Sequence, residues 1–158
     1  MKKTLIGLSL FSLVCIANAE PARFMLYLSG KEQARFILEK EIEKNKKSVR
    51  AWIERIKNPN YMKKGEYYSR KEQWEANCVK RTLQILNSVT YDLKGATISW
   101  SNVPTGLQPL IPGTYAAEYF EILCDPKFPN IESLTTPMDD PEVYAKKVFK
   151  VFEENSSK

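Results

Sequence analysis

Two cysteines constrain the fold of this 158-residue chain more than any other feature. Of its three cysteines, Cys15 lies in a segment that resembles an export signal, which leaves Cys78 and Cys124. An even number of cysteines in an exported chain is typical of a disulfide, although two inert buried thiols are the alternative. A bridge would stabilise the fold by about 4 kcal/mol in the chain-entropy model. It would also require the segments that end at these two residues to lie side by side.

The amino-terminal segment has the features of a secretory signal peptide. Lys2 and Lys3 give it a positive start, and an apolar run follows from Leu5 to Ile16. Ala17-Asn18-Ala19 fits the small-x-small pattern of a cleavage site. We therefore expect residues 1–19 to be removed, so that the mature chain begins at Glu20.

The mature chain, residues 20–158, is predicted to be a single exported domain. Its location would be the periplasm, the cell surface or the medium. The apolar run of the signal is shorter than the about 20 residues that span a bilayer, and no later segment approaches that length, so we expect no transmembrane segment. A lipid anchor on Cys15 is disfavoured because Val14 precedes it, where a lipoprotein signal has a small residue.

The chain contains no histidine, and this narrows the chemistry that it can perform. Neither a Ser-His or Cys-His nucleophile pair nor a histidine metal site can be built. Asp139, Asp140 and Glu142 cluster, but they precede a predicted helix, where carboxylates commonly cap the first turn. We therefore expect no catalytic residue, no metal and no cofactor. The net charge of +5 falls to +3 when Lys2 and Lys3 leave with the signal, too mild an excess to predict a nucleic-acid partner.

Short apolar runs with turn residues between them predict strands in the first half of the mature chain. The first run is Arg23–Leu28. The next segment, Lys31–Lys47, has helical spacing of its apolar residues, yet the β-forming sequence that follows it favours a pair of antiparallel strands. The predicted elements are a strand near Arg35–Leu38, a bend at Glu39–Glu41, a turn at Asn45–Lys47 and a strand at Ser48–Ile56.

A segment rich in lysine, arginine and tyrosine, which we call the basic loop, is predicted between Lys57 and Lys71. Tyrosine rings supply rigid contact area and cations supply steering, so this loop is a candidate contact surface for a glycan or an anionic partner. The alternative is a solvated loop whose tyrosines lie on the sheet. The candidate binding residues are Tyr61, Lys63, Lys64, Tyr67, Tyr68, Arg70 and Lys71.

A hairpin and two helices are predicted in the second half. Leu83–Tyr91 and Ala96–Trp100 alternate in polarity on either side of a turn, so one face of this hairpin should lie on the core. Pro and Gly residues predict irregular structure from Ser101 to Gly113. Thr114 is a helix cap before Tyr115–Cys124, and Asp140 precedes a last helix at about Pro141–Glu153.

Both helices have an apolar side that predicts how they pack. The expected apolar residues of the first helix are Ala116, Tyr119, Phe120 and Leu123, and this helix should deliver Cys124 to Cys78. Those of the last helix are Tyr144, Val148, Val151 and Phe152. Glu142 and Lys146 are expected to form an i, i+4 pair on the solvent-exposed side of this helix.

Several short motifs follow one another along the chain in an order that carries a family resemblance. They are Phe36-Ile37-Leu38, Glu41-Ile42, the turn Asn45–Lys47, a strand with a central Trp52, Cys78, Lys80-Arg81, a long strand ending at Tyr91, the helix entry Pro112-Gly113-Thr114 and Cys124. In this order and spacing the chain resembles the surface-adhesin protein E domain family of Gram-negative bacteria. Asn77, where an acidic residue often stands, and Thr114, in place of serine, depart conservatively from the family pattern.

The resemblance covers most of the mature chain and implies an α+β fold. This fold is a small antiparallel β-sheet of about five to six strands flanked by helices, with one disulfide that links strand to helix. The resemblance also implies no enzymatic activity, because the family consists of surface proteins that bind host extracellular-matrix and plasma proteins. It favours a noncatalytic exported binding module with a protein partner. The alternatives are a periplasmic accessory of envelope assembly and a carboxylate-dependent enzyme.

Overall fold

The structure, a computed structural model, describes residues 24–44, 47–127 and 140–156. The predicted signal peptide, its cleavage site and Cys15 lie outside these residues, as do most of the turn at Asn45–Lys47 and Asp139. Within the described ranges the fold is an antiparallel sheet with a helix on each face, which confirms the predicted α+β class.

Six strands follow one another through the sheet in chain order, and a short seventh strand pairs with the fifth. The strands are β1 (Phe24–Ser29), β2 (Gln33–Lys44), β3 (Ser48–Lys57), β4 (Ser69–Asn77), β5 (Thr82–Tyr91), β6 (Thr97–Ser101) and β7 (Gln108–Pro109). A 3-10 helix, Pro59–Tyr61, begins the connection from β3 to β4, and the α-helices are α1 (Tyr115–Cys124) and α2 (Pro141–Ser156). Every pair of neighbouring strands is antiparallel.

Strand β2 is longer than predicted and absorbs an irregularity. Its ladder with β3 pairs Leu38 with Trp52 and next pairs Glu43 with Arg50, so five steps along β2 oppose two along β3. The predicted bend at Glu39–Glu41 is therefore wrong, because the backbone stays extended and holds the surplus residues as a bulge. Pairing with β3 outweighs the helical spacing of this segment.

Helix α1 packs on one side of the sheet, which we call the α1 face. Tyr119, Phe120 and Leu123 are buried there, as the sequence predicts, in a cluster that includes Ile53 and Trp74. The Trp74 and Tyr119 rings meet edge-on, with their centroids 5.2 Å apart. The helix is started by Thr114, whose hydroxyl oxygen accepts a hydrogen bond from the Ala117 backbone N–H at 3.3 Å.

The carboxyl end of α1 is joined covalently to the end of β4. Cys124 is the last residue of the helix, and it forms a disulfide with Cys78, whose Cα atom lies 5.5 Å away. This confirms the predicted pairing. The bridge spans 46 positions of sequence, so it constrains the unfolded chain over the whole segment that contains β5, β6 and β7.

Helix α2 packs on the opposite side, the α2 face. Ala145 and Phe149 are buried against Phe36 and Ile56. The predicted apolar stripe is therefore shifted: Tyr144 and Val148 are half-buried, but Val151 and Phe152 are exposed. The last turns are held by polar contacts instead, because the side-chain amides of Asn58 and Asn60 donate hydrogen bonds to Glu153 Oε1 at 3.1 and 2.8 Å.

A bulge in β5 reverses which of its residues face each side. Trp74 of β4 pairs with Ile85, and the neighbouring Gln73 pairs with Asn87, so Leu86 is an extra residue. Because side chains alternate along a strand, one extra residue moves those beyond it to the other face. The alternation of Leu83–Tyr91 therefore does not define one continuous core side.

Strand β6 pairs with the part of β5 that lies beyond the bulge, where the side chains have changed faces. The predicted packing of the hairpin on the core is therefore corrected. Trp100 pairs with Val89 on the α2 face, whereas α2 covers the region around β2. Trp100 is consequently 70% exposed, and the neighbouring Ile98 is 54% exposed. The hairpin itself is confirmed, but the expectation that this side of β6 lies on the core is wrong.

The segment 101–113, predicted to be irregular, contains the two-residue strand β7. Gln108 and Pro109 pair with Leu83 and Thr82 of β5. Proline is tolerated there because an edge strand does not need every backbone N–H for a ladder.

Removing the disulfide tests its contribution to stability. We expect the mature double variant Cys78→Ser/Cys124→Ser to lose about 4 kcal/mol of unfolding free energy, because the open loop regains conformational entropy in the unfolded state. Urea denaturation without reductant measures the change, and wild-type protein in reductant should match the variant. A loss below about 1 kcal/mol would show that the bridge contributes little.

Candidate binding surfaces

The structure separates the candidate residues of the basic loop. Those exposed on the connection before β4 are Tyr61, Lys63 and Lys64. Tyr68 is buried in the cluster beneath α2, and burial raises its pKa to about 12. Arg70 and Lys71 belong to β4 rather than to a loop, so their neighbouring side chains point to opposite faces. The prediction of one continuous basic loop to Lys71 is therefore wrong in its extent.

Several cations in this region already have internal partners. Lys57 Nζ lies 2.8 Å from Glu66 Oε2 and 4.4 Å from the centre of the Tyr67 ring. The hydrogen bond from Lys57 lowers the pKa of Glu66 below its ordinary value. These contacts hold Tyr67 against the loop, and Lys31 lies over the ring of Tyr61 at 5.7 Å. The tyrosines thus serve the internal structure as well as the surface.

A buried carboxylate lies on the α2 face beneath the start of α2. Glu54 is 2% exposed, and burial raises its pKa from 4.5 to about 7, although Lys71 acts in the opposite direction. Lys71 Nζ is 3.7 Å from Glu54 Oε2. The negative charges of Glu142 and Asp140 raise the Glu54 pKa further. The Glu54 carboxyl group therefore binds a proton more readily in the folded protein than in the unfolded chain.

The first turn of α2 explains the acidic cluster. Asp140 Oδ1 accepts hydrogen bonds from the backbone N–H groups of Glu142 and Val143 at 2.8 and 3.3 Å, which confirms its capping role. Glu142 is half-buried and its charge acts on Glu54, so the prediction that it lies on the solvent-exposed side of α2 is wrong.

The titration of Glu54 predicts a pH-dependent stability. Because the folded-state pKa is raised from 4.5 to about 7, the folded protein binds more protons than the unfolded chain in this interval. The free energy of unfolding contributed by Glu54 therefore falls as pH rises from 4.5 to 7, by up to about 3 kcal/mol. We expect Glu54→Gln to be more stable than wild type at pH 8 and similar to it at pH 5 in urea denaturation.

The control for this experiment is Glu154→Gln, which changes an exposed carboxylate of α2. It should leave the difference between pH 5 and pH 8 as it is in the wild type. Equal wild-type and Glu54→Gln stabilities at both pH values would contradict the assignment.

Three arginines form one cross-strand row on the α1 face. Arg35 of β2 is paired with Arg55 of β3, which is paired with Arg70 of β4. Glu72 interacts with two of them: Oε1 lies 2.7 Å from Arg70 Nη2, and Oε2 lies 3.5 Å from Arg55 Nη2. Arg35 lies under the Tyr115 ring, with 3.3 Å between its guanidinium carbon and the ring centre. We call these residues the arginine row.

Sequence reasoning assigned Arg70 to the basic loop and missed Arg35 and Arg55. Arg35 and Arg55 lie in strands that the sequence did predict, but apolar periodicity gives no weight to charged positions within a strand. The signal that would reveal them is the pairing register, since only the register places all three arginines in one row.

A third surface is formed by the exposed side of the hairpin. We define the β6 surface as Val89 and Trp100, which pair with each other on the α2 face, together with the exposed side chain of Ile98. All five residues of β6 are exposed. The side chains of Val103 and Leu107, in the connection after β6, are also exposed.

The cavities beside α1 are small or open. One of about 40 Å³, between β5, β7 and α1, is lined by residues that include Trp74, Ile85 and Leu110. It has room for water but not for a typical small-molecule ligand, which needs roughly 300 Å³ or more. A cleft of about 310 Å³ opens near Arg81 and Glu121, whose charges pair at 2.9 Å.

Among the residues that the structure describes, no group of three or more potential metal ligands comes together. In the same part of the chain, neither helix combines the length and apolar character that a bilayer crossing requires.

Comparison with known proteins identifies the family. The family model described as surface-adhesin protein E matches residues 25–125, which is more than half of the chain. This protein therefore belongs to the surface-adhesin protein E family, and the resemblance found in the sequence is confirmed. The match runs from β1 through α1 and includes both bridged cysteines, whereas α2 follows it. No curated protein and no solved structure matched the chain.

Proposed function

We propose that this protein is a noncatalytic exported binding module that contacts a protein partner through the β6 surface. The observation that carries the proposal is the 70% exposure of Trp100 on a strand that no helix covers in the described part of the chain. Exposed apolar patches mark interaction sites, and tryptophan is enriched among the residues that dominate binding energy. Trp100 would be the central anchor of the contact.

The backbone of β6 offers a second mode of recognition beside the side chains. β6 is the last strand in the described sheet order, so one edge of it faces away from β5. A partner segment can add a strand to such an edge, with main-chain hydrogen bonds giving affinity. Alternate side chains then contact the partner, and Trp100 is the large apolar side chain of β6 on the α2 face.

The family supports a host extracellular-matrix or plasma protein as the partner. Export is supported by the signal-like segment, whose cleavage would release a chain that begins at Glu20. An envelope component would be the partner if the mature chain stays in the periplasm.

The basic loop has a secondary part in the proposal. Lys63 and Lys64 are exposed in the connection from β3 to β4, whereas Arg70 and Lys71 interact with Glu72 and Glu54. Exposed cations accelerate encounter with an acidic partner more than they add to its final affinity. We therefore assign steering to this pair of lysines.

Replacing the anchor tests the main contact. We expect Trp100→Ala to weaken binding to an immobilised extracellular-matrix or plasma protein by roughly tenfold or more. The reason is that the variant lacks the tryptophan side chain that the partner would bury in the complex. Biolayer interferometry against a panel of such proteins measures the effect. Val79→Ala, at another exposed apolar position, should bind as the wild type does.

The outcome that contradicts the β6 surface is equal binding by Trp100→Ala and wild type. If the panel shows no binding at all, fractionation distinguishes the remaining roles. A chain protected from protease on whole cells, and recovered with one envelope complex, would replace host binding with an accessory role.

Neutralising the exposed lysines tests steering separately. Lys63→Gln/Lys64→Gln should lower the association rate with an acidic partner and flatten its dependence on salt, while the dissociation rate changes little. The control Lys146→Gln/Lys147→Gln makes the same charge change at exposed positions of α2. Identical association rates and salt dependence in both double variants would remove the basic loop from the contact.

A further inference from the structure

We propose that the arginine row binds a tetrahedral oxyanion, sulfate or phosphate, at a site separate from the β6 surface. The row is formed by Arg35, Arg55 and Arg70 on the α1 face, whereas Trp100 lies on the α2 face. The inference therefore concerns a second ligand and does not depend on the protein partner proposed above.

The first argument is the balance of charge. Arg35 and Arg55 stand directly opposite each other, as do Arg55 and Arg70. Like charges at opposed positions repel across a sheet. Glu72 is the carboxylate that pairs with this row in the described structure, so three cations share one anion. The row thus keeps an excess of positive charge beside the core, where solvent screens it poorly.

The second argument is that buried donors lack acceptors. Arg35 is 2% exposed, and its Nε and Nη1 atoms have no hydrogen-bond partner. Nε of Arg70 is likewise buried without a partner. Buried polar groups are nearly always hydrogen-bonded, and an unpaired cationic donor is especially unfavourable. An oxyanion bound over Arg55 and Arg70 supplies an acceptor for Arg70 Nε and the missing negative charge together.

The third argument is that the site is held in place. The Tyr115 ring stacks on Arg35 at 3.3 Å, and Trp74 Nε1 donates a hydrogen bond to Glu72 Oε2 at 3.2 Å. The neutral phenol of Tyr119 lies beside Arg35, with which it shares a hydrogen bond. A planar guanidinium presents paired donors that suit the oxygens of sulfate and phosphate.

Access comes from the side of the row away from Arg35. The side chains of Arg55 and Arg70 are 29% and 33% exposed, so an anion can approach over them. The register continues the row to Thr90 and Ser99, whose hydroxyl oxygens lie 2.7 Å apart.

Calorimetric titration of the mature protein with sodium sulfate and with sodium phosphate tests the site, with ionic strength held constant by sodium chloride. We expect saturable binding of either ion to the wild type. Arg55→Gln should weaken it by roughly tenfold or more, because a charge-assisted hydrogen bond is lost. Arg81→Gln removes the same charge at an exposed position paired with Glu121, and should bind as the wild type does.

A second variant is expected to bind sulfate more tightly, which distinguishes anion binding by the arginine row from a purely structural role of these residues. Glu72→Gln removes the internal competitor for Arg55 and Arg70, so it should bind sulfate more tightly than the wild type. Loss of structure cannot produce tighter binding. Absence of saturable heat in the wild type, or equal weakening by Arg55→Gln and Arg81→Gln, would overturn the proposal.

A final arm identifies the source of the oxyanion. A sulfated oligosaccharide that binds at least tenfold more tightly than inorganic sulfate, with its unsulfated counterpart inactive, would assign the site to sugar sulfate esters. Equal affinity for inorganic sulfate and the oligosaccharide would assign it to the ion alone. In both cases the Arg55→Gln variant must lose the binding, and retention by that variant would contradict the site.

Discussion

The disulfide between Cys78 and Cys124 fixes the relation between α1 and the sheet, and the other features depend on it. It joins the end of α1 to the end of β4, so the helix lies where Tyr119, Phe120 and Leu123 complete the core. A bridge of this length restricts the unfolded chain by an amount comparable to the net stability of a small domain. Once α1 occupies one face, the arginine row lies partly beneath its first turn, where Tyr115 contacts Arg35.

The second helix covers a different part of the other face. Its buried residues, Ala145 and Phe149, contact the cluster around Phe36 and Ile56 rather than the hairpin of β5 and β6. The single extra residue in β5 then turns Val89 and Trp100 toward this open region. Trp100 is therefore exposed for two reasons: α2 does not extend over the hairpin, and the bulge in β5 turns this side chain to the α2 face. The proposed contact surface follows from those two features.

Much of the fold could be predicted because local sequence and packing agree there. The helix Tyr115–Cys124 has a threonine cap, an apolar side and a cysteine at its end, and all three predict the same element. The cysteine pair followed from the count of cysteines in an exported chain. The capping role of Asp140 followed from its position before a proline.

The errors arose where pairing between strands overrides local pattern. The bulge at Leu86 cannot be read from alternation, because it is defined by the partner strand β4. Strand β2 runs through the predicted bend for the same reason. The basic loop was drawn too long because Arg70 and Lys71 join β4 through pairs with Arg55 and Glu54. The arginine row depends wholly on register, so a charged residue that appears solvated in the sequence is buried in the fold.

The most direct test of the proposed function is site-specific photo-crosslinking on living cells. A photoreactive phenylalanine analogue would replace Trp100 in one strain and Val79 in a matched strain, and both would be exposed to host matrix and plasma proteins. The account predicts a discrete covalent adduct with a host protein from position 100 and none from position 79. Adducts from position 79 alone, or from both positions equally, would contradict a contact centred on the β6 surface.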